Sequence, residues 1–576
     1  MRHRLVRYNG SMFNGFDPTS VADLQLRALI SAMMNRIEAL EEEVRTLKDE
    51  RQRLRDENNR LKGEQGQPRI LPKTPANNVS SERERAVPTT WRKQAKNATL
   101  VIDRTQVVAV DRSLLPADAV SKGYQRVVVQ DLRLYTETIC FRKEKFYSPT
   151  TRQTYLAPNP PGYDGHFGPG VKAFVWTLAF ESGLSEAKIF DLVRLAGMQM
   201  SRGQIAAILH GLGMTFAPER QAILAAGLRS SPWQHLDATP TRVAGTNQQC
   251  HVLTNPLYTV YTTVPQTNRL HVLDVLRGGQ PRQFWLDQTT ERLMRLMDVP
   301  IHALKAVVHA MPREQLLTEA DLDAFFASYT RHSRRYTRKW IKDSFAIAAY
   351  HAQRDPPFPV VQLLIGDDAP QWAMLTEELA LCWVHDGRHY TRLEPQLDHH
   401  RTLLADFRQD YWALYHALRQ YQQDPSTGEA NRLRQAFDDL GRRTTGYAAL
   451  DARIAITAEK RRGLLMVLEH PEIPLHNNPA ELAVRRRVRK RAVSGGLRTV
   501  SGAERWDIGQ TLVATARQLK VNVYAYIADR LSGRMALPAL ADVIAERATE
   551  AALGGSWEGR PQRPVWKPVE VAMWHA

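Results

Sequence analysis

Residues 358–372 read FPVVQLLIGDDAPQW. The run is apolar on both alternate sets of positions, which is the pattern of a strand buried in a sheet covered on both faces, an α/β architecture. It ends in Gly366, Asp367 and Asp368, so two acids emerge at the end of the strand, where α/β sheets place their ligands. Two stretches upstream, SPWQHLDATPTRVAG (231–245) and CHVLTNPLYTVYTTVP (250–265), read as two adjacent strands, with Asp237 near the end of the first. Taken one at a time, each of these acids reads more simply as a helix N-cap or a turn residue.

The chain around this stretch has 576 residues, enough for several domains, and a net charge of +17 at a pI near 9.8. Such a field attracts polyanions, and the basic residues are clustered. No run approaches the roughly 20 apolar residues that span a bilayer, which leaves nucleic acid as the expected partner and excludes a membrane. The first twenty residues, MRHRLVRYNGSMFNGFDPTS, are basic without the apolar core of a secretion signal, and Cys140, Cys250 and Cys382 lie too far apart for a disulfide framework or a paired zinc site. A reducing cytoplasm is the expected setting.

From Ile30 to Leu61 a heptad is legible. Its a positions are Ile30, Ile37, Val44, Arg51 and Asn58, and its d positions Met33, Leu40, Leu47, Leu54 and Leu61. β-branched a residues, Leu at d and a polar a residue predict a parallel two-stranded coiled coil over 20–62, with Ile37, Leu40, Val44, Leu47, Leu54, Asn58 and Leu61 at the dimer seam. The flanking pairs Arg36–Glu41, Glu43–Lys48, Glu50–Arg55 and Glu57–Lys62 are all opposite in sign. A polar linker rich in Pro, Gly and Ser follows at 63–97, and an alternating stretch at 98–165, including RVVVQDLRLYTETICFRKEKFY (126–147), predicts a small β-rich domain. Between 166 and 229 the period becomes helical: VKAFVWTLAFESG, SEAKIFDLVRLAG and SRGQIAAILHGLG predict three short helices, each closed by Gly, with Ser201 and Gln204 as a capping box. A helix-turn-helix would place Arg202 and Gln204 at the start of a recognition helix in a major groove. An ordinary three-helix packing unit fits the same pattern.

Further on, HNNPAELAVRRRVRKR (476–491) sets one acid, Glu481, at the head of a run of arginines. Asn478 as N-cap, Pro479 next and Glu481 at the third position make a sound helix start, and by itself that reading suffices. The same helix carries Arg485 one turn along the same face, which also permits a carboxylate on a cation beside a guanidinium on a phosphate.

Together these pieces resemble the DDE transposases of the insertion-sequence-sixty-six family, from about Gly165 to about Ser532. The resemblance rests on the order and spacing of HLDATP, LLIGDDAPQW, LCWVHDGRHY, HNNPAELAVRRRVRKR, SGGLRTVSGAERW and YAYIADRL. It implies a multidomain chain whose α/β RNase H-like catalytic domain spans 230–395, with a basic insertion at about 280–350. A helical insertion would follow at 396–475, the catalytic Glu helix with a basic closing segment at 476–532, and a tail at 533–576.

It implies Asp237, Asp367 and Glu481 as catalytic, metal-binding carboxylates for two Mg²⁺ or Mn²⁺ ions; matching the family's aromatic to Trp372 selects Asp367 over Asp368. Arg485, Arg486, Arg487, Arg489, Lys490 and Arg491 are expected to clamp phosphates, and Cys382 with His385 to form a structural pair behind the site. The implied partners are transposon-end DNA, target DNA, a second copy of the chain and accessory proteins of the same element, at the bacterial nucleoid. The family's Arg after the Glu is Leu482 here, with Arg485 or Arg486 in its place, and the family's N-terminal Cys cluster is missing. A catalytically inactive or domesticated dimeric DNA-binding protein is the alternative reading.

Overall fold

A computed structural model of the chain describes residues 16–61, 101–116, 118–132, 134, 136–328, 335–352, 358–494 and 497–558. Helix α1 (Leu24–Leu61, 38 residues) is roughly 57 Å long. Asp23 starts it, its Oδ1 accepting from the N–H groups of Gln25 and Leu26. Of the expected seam, Met33, Leu40, Val44, Leu47 and Leu54 are 41–64 % exposed, Ile37 is half-buried and Asn58 is exposed, while the Leu61 side chain is outside the described residues. A different face docks on the chain itself. Met34 and Glu38 are buried, Glu38 accepts from the N–H groups of Gln396 and Leu397, and Asn35 bridges Gly446 O and Ala448 N. One side of the rod is thereby fixed to the body, and the heptad side is left uncovered.

The linker at 63–97 is outside the described residues. The expected β-rich domain reduces, among the described residues, to one hairpin of β1 (Lys145–Ser148) and β2 (Gln153–Leu156). Val107, Val108, Val127 and Val129 are 65–81 % exposed, so the alternation of this stretch has no second layer to pack against among the described residues. Strands without such a layer are marginal in water.

Helices α2 (Pro169–Phe180), α3 (Glu186–Leu195) and α4 (Arg202–Arg229) form the three-helix segment, with the capping box of Ser201 and Gln204 in place. The third helix does not stop at Gly213 as its sequence suggests; it continues for 28 residues through Pro218. Ile205, Leu209, Leu212, Phe216, Ile223, Leu224 and Leu228 bury one long face, and that tertiary burial outweighs the local glycines.

The central sheet has five strands in the order β5-β4-β3-β6-β7. Strands β3 (Trp233–Val243), β4 (Thr246–Asn255) and β5 (Tyr258–Val264) are an antiparallel meander. Residues 250–265 are therefore two strands, not the single one expected, turning at Asn255-Pro256-Leu257, where Asn255 Oδ1 accepts from Leu257 N. β6 (Leu363–Gly366) and β7 (Glu378–Leu381) are parallel to β3 and to each other, as the buried apolar run of β6 demands. Gly227 of α4 is where helix and sheet touch most closely: a Cβ there would lie 2.4 Å from the Tyr258 ring. Gly227→Ala is expected to cost about 1–3 kcal/mol through overpacking, read as a lower midpoint in urea unfolding.

Between β5 and β6 run α5 (Arg269–Leu276), α6 (Gln288–Leu296), α7 (Ile301–Ala310), α8 (Glu319–Ser328) and α9 (Arg335–Ala352). Ile341, Phe345, Ile347 and Tyr350 of α9 join the main core, so this basic insertion is an integral layer. After β7 comes α10 (Trp383–Thr391). The helical insertion then follows as α11 (Asp398–Tyr421), α12 (Thr427–Gly441), α13 (Ala448–Glu459) and α14 (Arg461–Leu464). Its aromatic residues Phe407, Tyr411, Tyr415 and Phe437, with Tyr390 of α10, build a second core around Trp383, on the far side of β6 and β7. The chain closes with α15 (Asn478–Ser494), α16 (Val500–Gln518), α17 (Val523–Leu531) and α18 (Leu540–Ala551). The expected tail is part of the body as far as Glu558: Leu540 and Ile544 are buried, and Trp233 Nε1 donates to Leu553 O at 2.6 Å. No helix among the described residues is long and apolar enough to cross a membrane.

Candidate active site

Three elements meet where the parallel part of the sheet ends. β3 and β6 run side by side with His235 opposite Ile365, so Asp237 and Asp367 each follow two residues after paired positions on neighbouring strands. Helix α15 is brought to the same place by Asn477, the residue before its first turn. The Asn477 amide donates to Leu236 O at 2.9 Å, its Oδ1 meets His235 Nδ1 at 2.9 Å, and its backbone N–H donates to Cys382 Sγ at 3.3 Å. Burial pushes His235 down to about 3, so the ring is neutral and serves this bond. Asn477 thus does the anchoring; Asn478, expected to be the cap, is already helical. Tyr261 Oη, donating to Ala483 O at 3.0 Å, fixes the second turn.

The consequence is that Asp237, Asp367 and Glu481 come near enough for their charges to interact, though their oxygens do not all lie within 4.8 Å of one another. Burial, and then the charges of Asp367 and Glu481, raise the Asp237 carboxyl to about 7. Asp367 Oδ1 accepts from Ala369 N at 3.2 Å and from Trp372 Nε1, which locks its orientation. Glu481 Oε2 accepts from Arg388 Nη2 at 2.8 Å, so its carboxylate faces across to α10.

Asp368, one residue along, is committed elsewhere. It pairs with Lys460, a residue only 3 % exposed, and with His385 Nε2 at 3.3 Å. The His385 hydrogen bond and Lys460 hold its carboxyl well below the ordinary range. Asp368, His385 and His389 have ligand atoms within 4.8 Å of one another, the one such group of three among the described residues. The Lys460 ammonium already supplies that carboxylate with a cation. Lys460 in turn reaches Asp386, which also pairs with Arg453, so the charges behind the site balance in pairs.

Cys382 and His385 adjoin at the start of α10, and each side chain makes its own contacts. Cys382 caps α10, its Sγ accepting from His385 N at 3.4 Å as well as from Asn477, and burial raises its thiol to about 11, so it stays protonated. The His385 ring faces Asp368.

The basic run does not act as one clamp. Arg487 is only 2 % exposed, with its guanidinium carbon 4.3 Å from the Trp506 ring centroid; it lies inside the protein and is withdrawn from the expected phosphate contacts. A helix with charged residues all round must turn some of them inward, and here the inward one meets an aromatic face. Lys490 Nζ donates to Leu184 O at 3.4 Å and Arg491 Nη1 to Pro240 O at 2.6 Å, while Arg486 lies against Tyr261 and α16. Arg485 and Arg489 follow Glu481 at intervals of four and share its face. At the other candidate surface, Arg202 stacks on Phe190 at 5.3 Å, and Gln204 spends its carbonyl oxygen on Ser201 N. The residues that sequence reasoning missed are Arg388, Asn477, Lys460 and His389. Arg388 alone carried a signal, lying three after His385 on a helix whose start was legible.

A family model described as "Transposase IS66 family" matches residues 371–505, a span that holds α10, the helical insertion, Glu481 and most of the basic segment but neither Asp237 nor Asp367. An uncharacterized protein of Sinorhizobium fredii, y4jO, is 27 % identical over 327 residues, which is 57 % of this chain and the whole of that protein. No solved structure matches. The family match lies over the helices that carry Arg388 and Glu481, and over residues 371–505 the chain is similar to transposases of the IS66 family.

Proposed function

We propose that this protein is a DDE transposase that cleaves the ends of its element and joins the freed 3′-OH to target DNA. The observation that carries the reading is the convergence of Asp237, Asp367 and Glu481 from two adjacent strands and a helix, with their charges felt at Asp237. A mixed sheet with acids at the ends of neighbouring strands also supports an RNase H-like catalytic core. Three hard carboxylates near enough for the charges of Asp367 and Glu481 to be felt at Asp237 suit Mg²⁺ or Mn²⁺, although their oxygens do not all lie within 4.8 Å of one another as the ligand atoms of Asp368, His385 and His389 do. Asp237, Asp367 and Glu481 would hold the ions; Asp368 is set aside by its pairing with Lys460. Bound there, two such ions supply charge stabilisation to the attacking and leaving oxygens of a phosphodiester.

The chain's own groups do the rest. Trp372 and the N–H of Ala369 hold Asp367 in one orientation, and Asn477 holds the Glu481 helix against β3. Arg485 and Arg489, on the face of Glu481, would take backbone phosphates and so register the DNA without reading its sequence. The uncovered heptad face of α1 would pair with a second copy and bring two element ends to one axis. Such a dimer would act on DNA of the bacterial nucleoid, with accessory proteins of the same element as further partners.

The test is incubation of the purified chain with a plasmid carrying the DNA that flanks its own gene, with and without Mg²⁺ or Mn²⁺. Divalent-dependent nicks at the element ends and joined products are expected. Tight, salt-sensitive binding without any divalent-dependent nicking would overturn the catalytic reading and leave a dimeric DNA-binding protein.

A further inference from the structure

We propose that Arg388 is the positioning residue for Glu481: its guanidinium holds one carboxylate oxygen so that the other is presented to a divalent cation. The inference rests on the reading of Glu481 as a ligand and adds a residue to it. Arg388 Nη2 donates to Glu481 Oε2 at 2.8 Å, whereas Oε1 takes no hydrogen bond among the described residues. A carboxylate bound through one oxygen keeps the second for a ligand, and the first fixes which way that second oxygen points.

Both partners are constrained. Arg388 is 31 % and Glu481 19 % exposed at the side chain, so the pair is largely withdrawn from water and less screened than a surface ion pair. Gly387 lets the α10 backbone lie against Trp412, where a Cβ would come within 2.7 Å of the ring, so the helix that carries Arg388 is seated firmly. The opposite end is seated by Asn477 and by Tyr261, as described above. The contact therefore joins two rigid helices across the site, 93 residues apart in sequence.

Leu482, next to Glu481, has no group that could hold the carboxylate, and the guanidinium that does hold it comes from another helix. Groups that orient a metal ligand are typically worth about 10–100-fold in metal affinity or activity.

The experiment measures Mn²⁺ binding to the full-length protein by electron paramagnetic resonance and, on the same samples, DNA cleavage against Mn²⁺ concentration. Arg388→Gln should weaken Mn²⁺ binding by about 10–100-fold and raise the half-saturating Mn²⁺ for cleavage by a like factor. The rate at saturating Mn²⁺ should stay within a few-fold of the parent, and Arg388→Lys should recover part of the affinity. Circular dichroism checks folding, and if Arg388→Gln does not fold, the comparison is carried by Arg388→Lys, expected between parent and Glu481→Gln. Unchanged or tighter Mn²⁺ binding in the folded Arg388 variants would overturn the positioning role. If instead Glu481→Gln binds Mn²⁺ like the parent, the ligand reading itself fails, a distinct result.

Discussion

Asp237→Ala, Asp367→Ala and Glu481→Ala are each expected to reduce divalent-dependent DNA cleavage by at least about 10³-fold, which corresponds to ~4 kcal/mol of transition-state stabilisation, while DNA binding persists. Cleavage of a supercoiled plasmid and a gel-shift measurement on the same preparations separate the two properties. So large a loss follows from the proposed reading, in which the three carboxylates act as a unit and a remaining pair could not hold two cations at the reacting phosphate. Asp368 supplies the contrast. Its carboxylate is paired with the buried Lys460, so Asp368→Ala leaves Asp386 to face the Lys460 and Arg453 cations together and should lower stability, a loss visible in thermal unfolding without DNA. A stable Asp367→Ala protein that cleaves at the parent rate would remove Asp367 from the ligand set.

Arg487→Ala is expected to destabilise the fold by about 2 kcal/mol, the worth of a desolvated cation on an aromatic face. Arg487 lies over Trp506 and offsets the buried Asp507, whose carboxyl is raised chiefly by burial and lowered in part by Arg487 and Arg220. Asp507 in turn accepts from Thr263 N and Thr263 Oγ1 at 2.6 and 2.9 Å, tying α16 to β5. Loss of the cation should therefore be felt at that helix-sheet contact. Arg489→Ala is the matched control: exposed and on the Glu481 face, it should leave the unfolding midpoint unchanged and reduce the salt slope of DNA binding by about one. If Arg487→Ala unfolds like the parent but loses DNA affinity, the interior placement of Arg487 has no energetic consequence and the phosphate reading of the whole run returns.

The uneven fate of that basic run marks where sequence reasoning stops. Periodicity placed α2 and α3, the capping box of Ser201, the strand ending at Asp367 and the helix of Glu481, because each depends on neighbours within a turn or a strand. It misjudged α4, which local glycines should have ended and tertiary burial carried on to Arg229. It also fused β4 and β5, because an Asn-Pro turn between two apolar runs leaves the alternation almost intact. For the stretch before β1, alternation alone predicted strands, but pairing needs a second layer that the described residues do not provide there.

The amino-acid order by itself determined the chemistry available to this protein: a buried strand with acids at its end, a heptad rod, and a helix headed by Glu481. Hydrophobic period and charge pattern are local properties, and local properties are written in the order of residues. Only the tertiary structure decided which groups meet. It set Arg388 against Glu481 and Lys460 against Asp368, folded Arg487 inward and turned one face of α1 onto its own body. Those pairings join residues far apart in the chain, and their strength depends on distance and burial, which exist only once the core has closed.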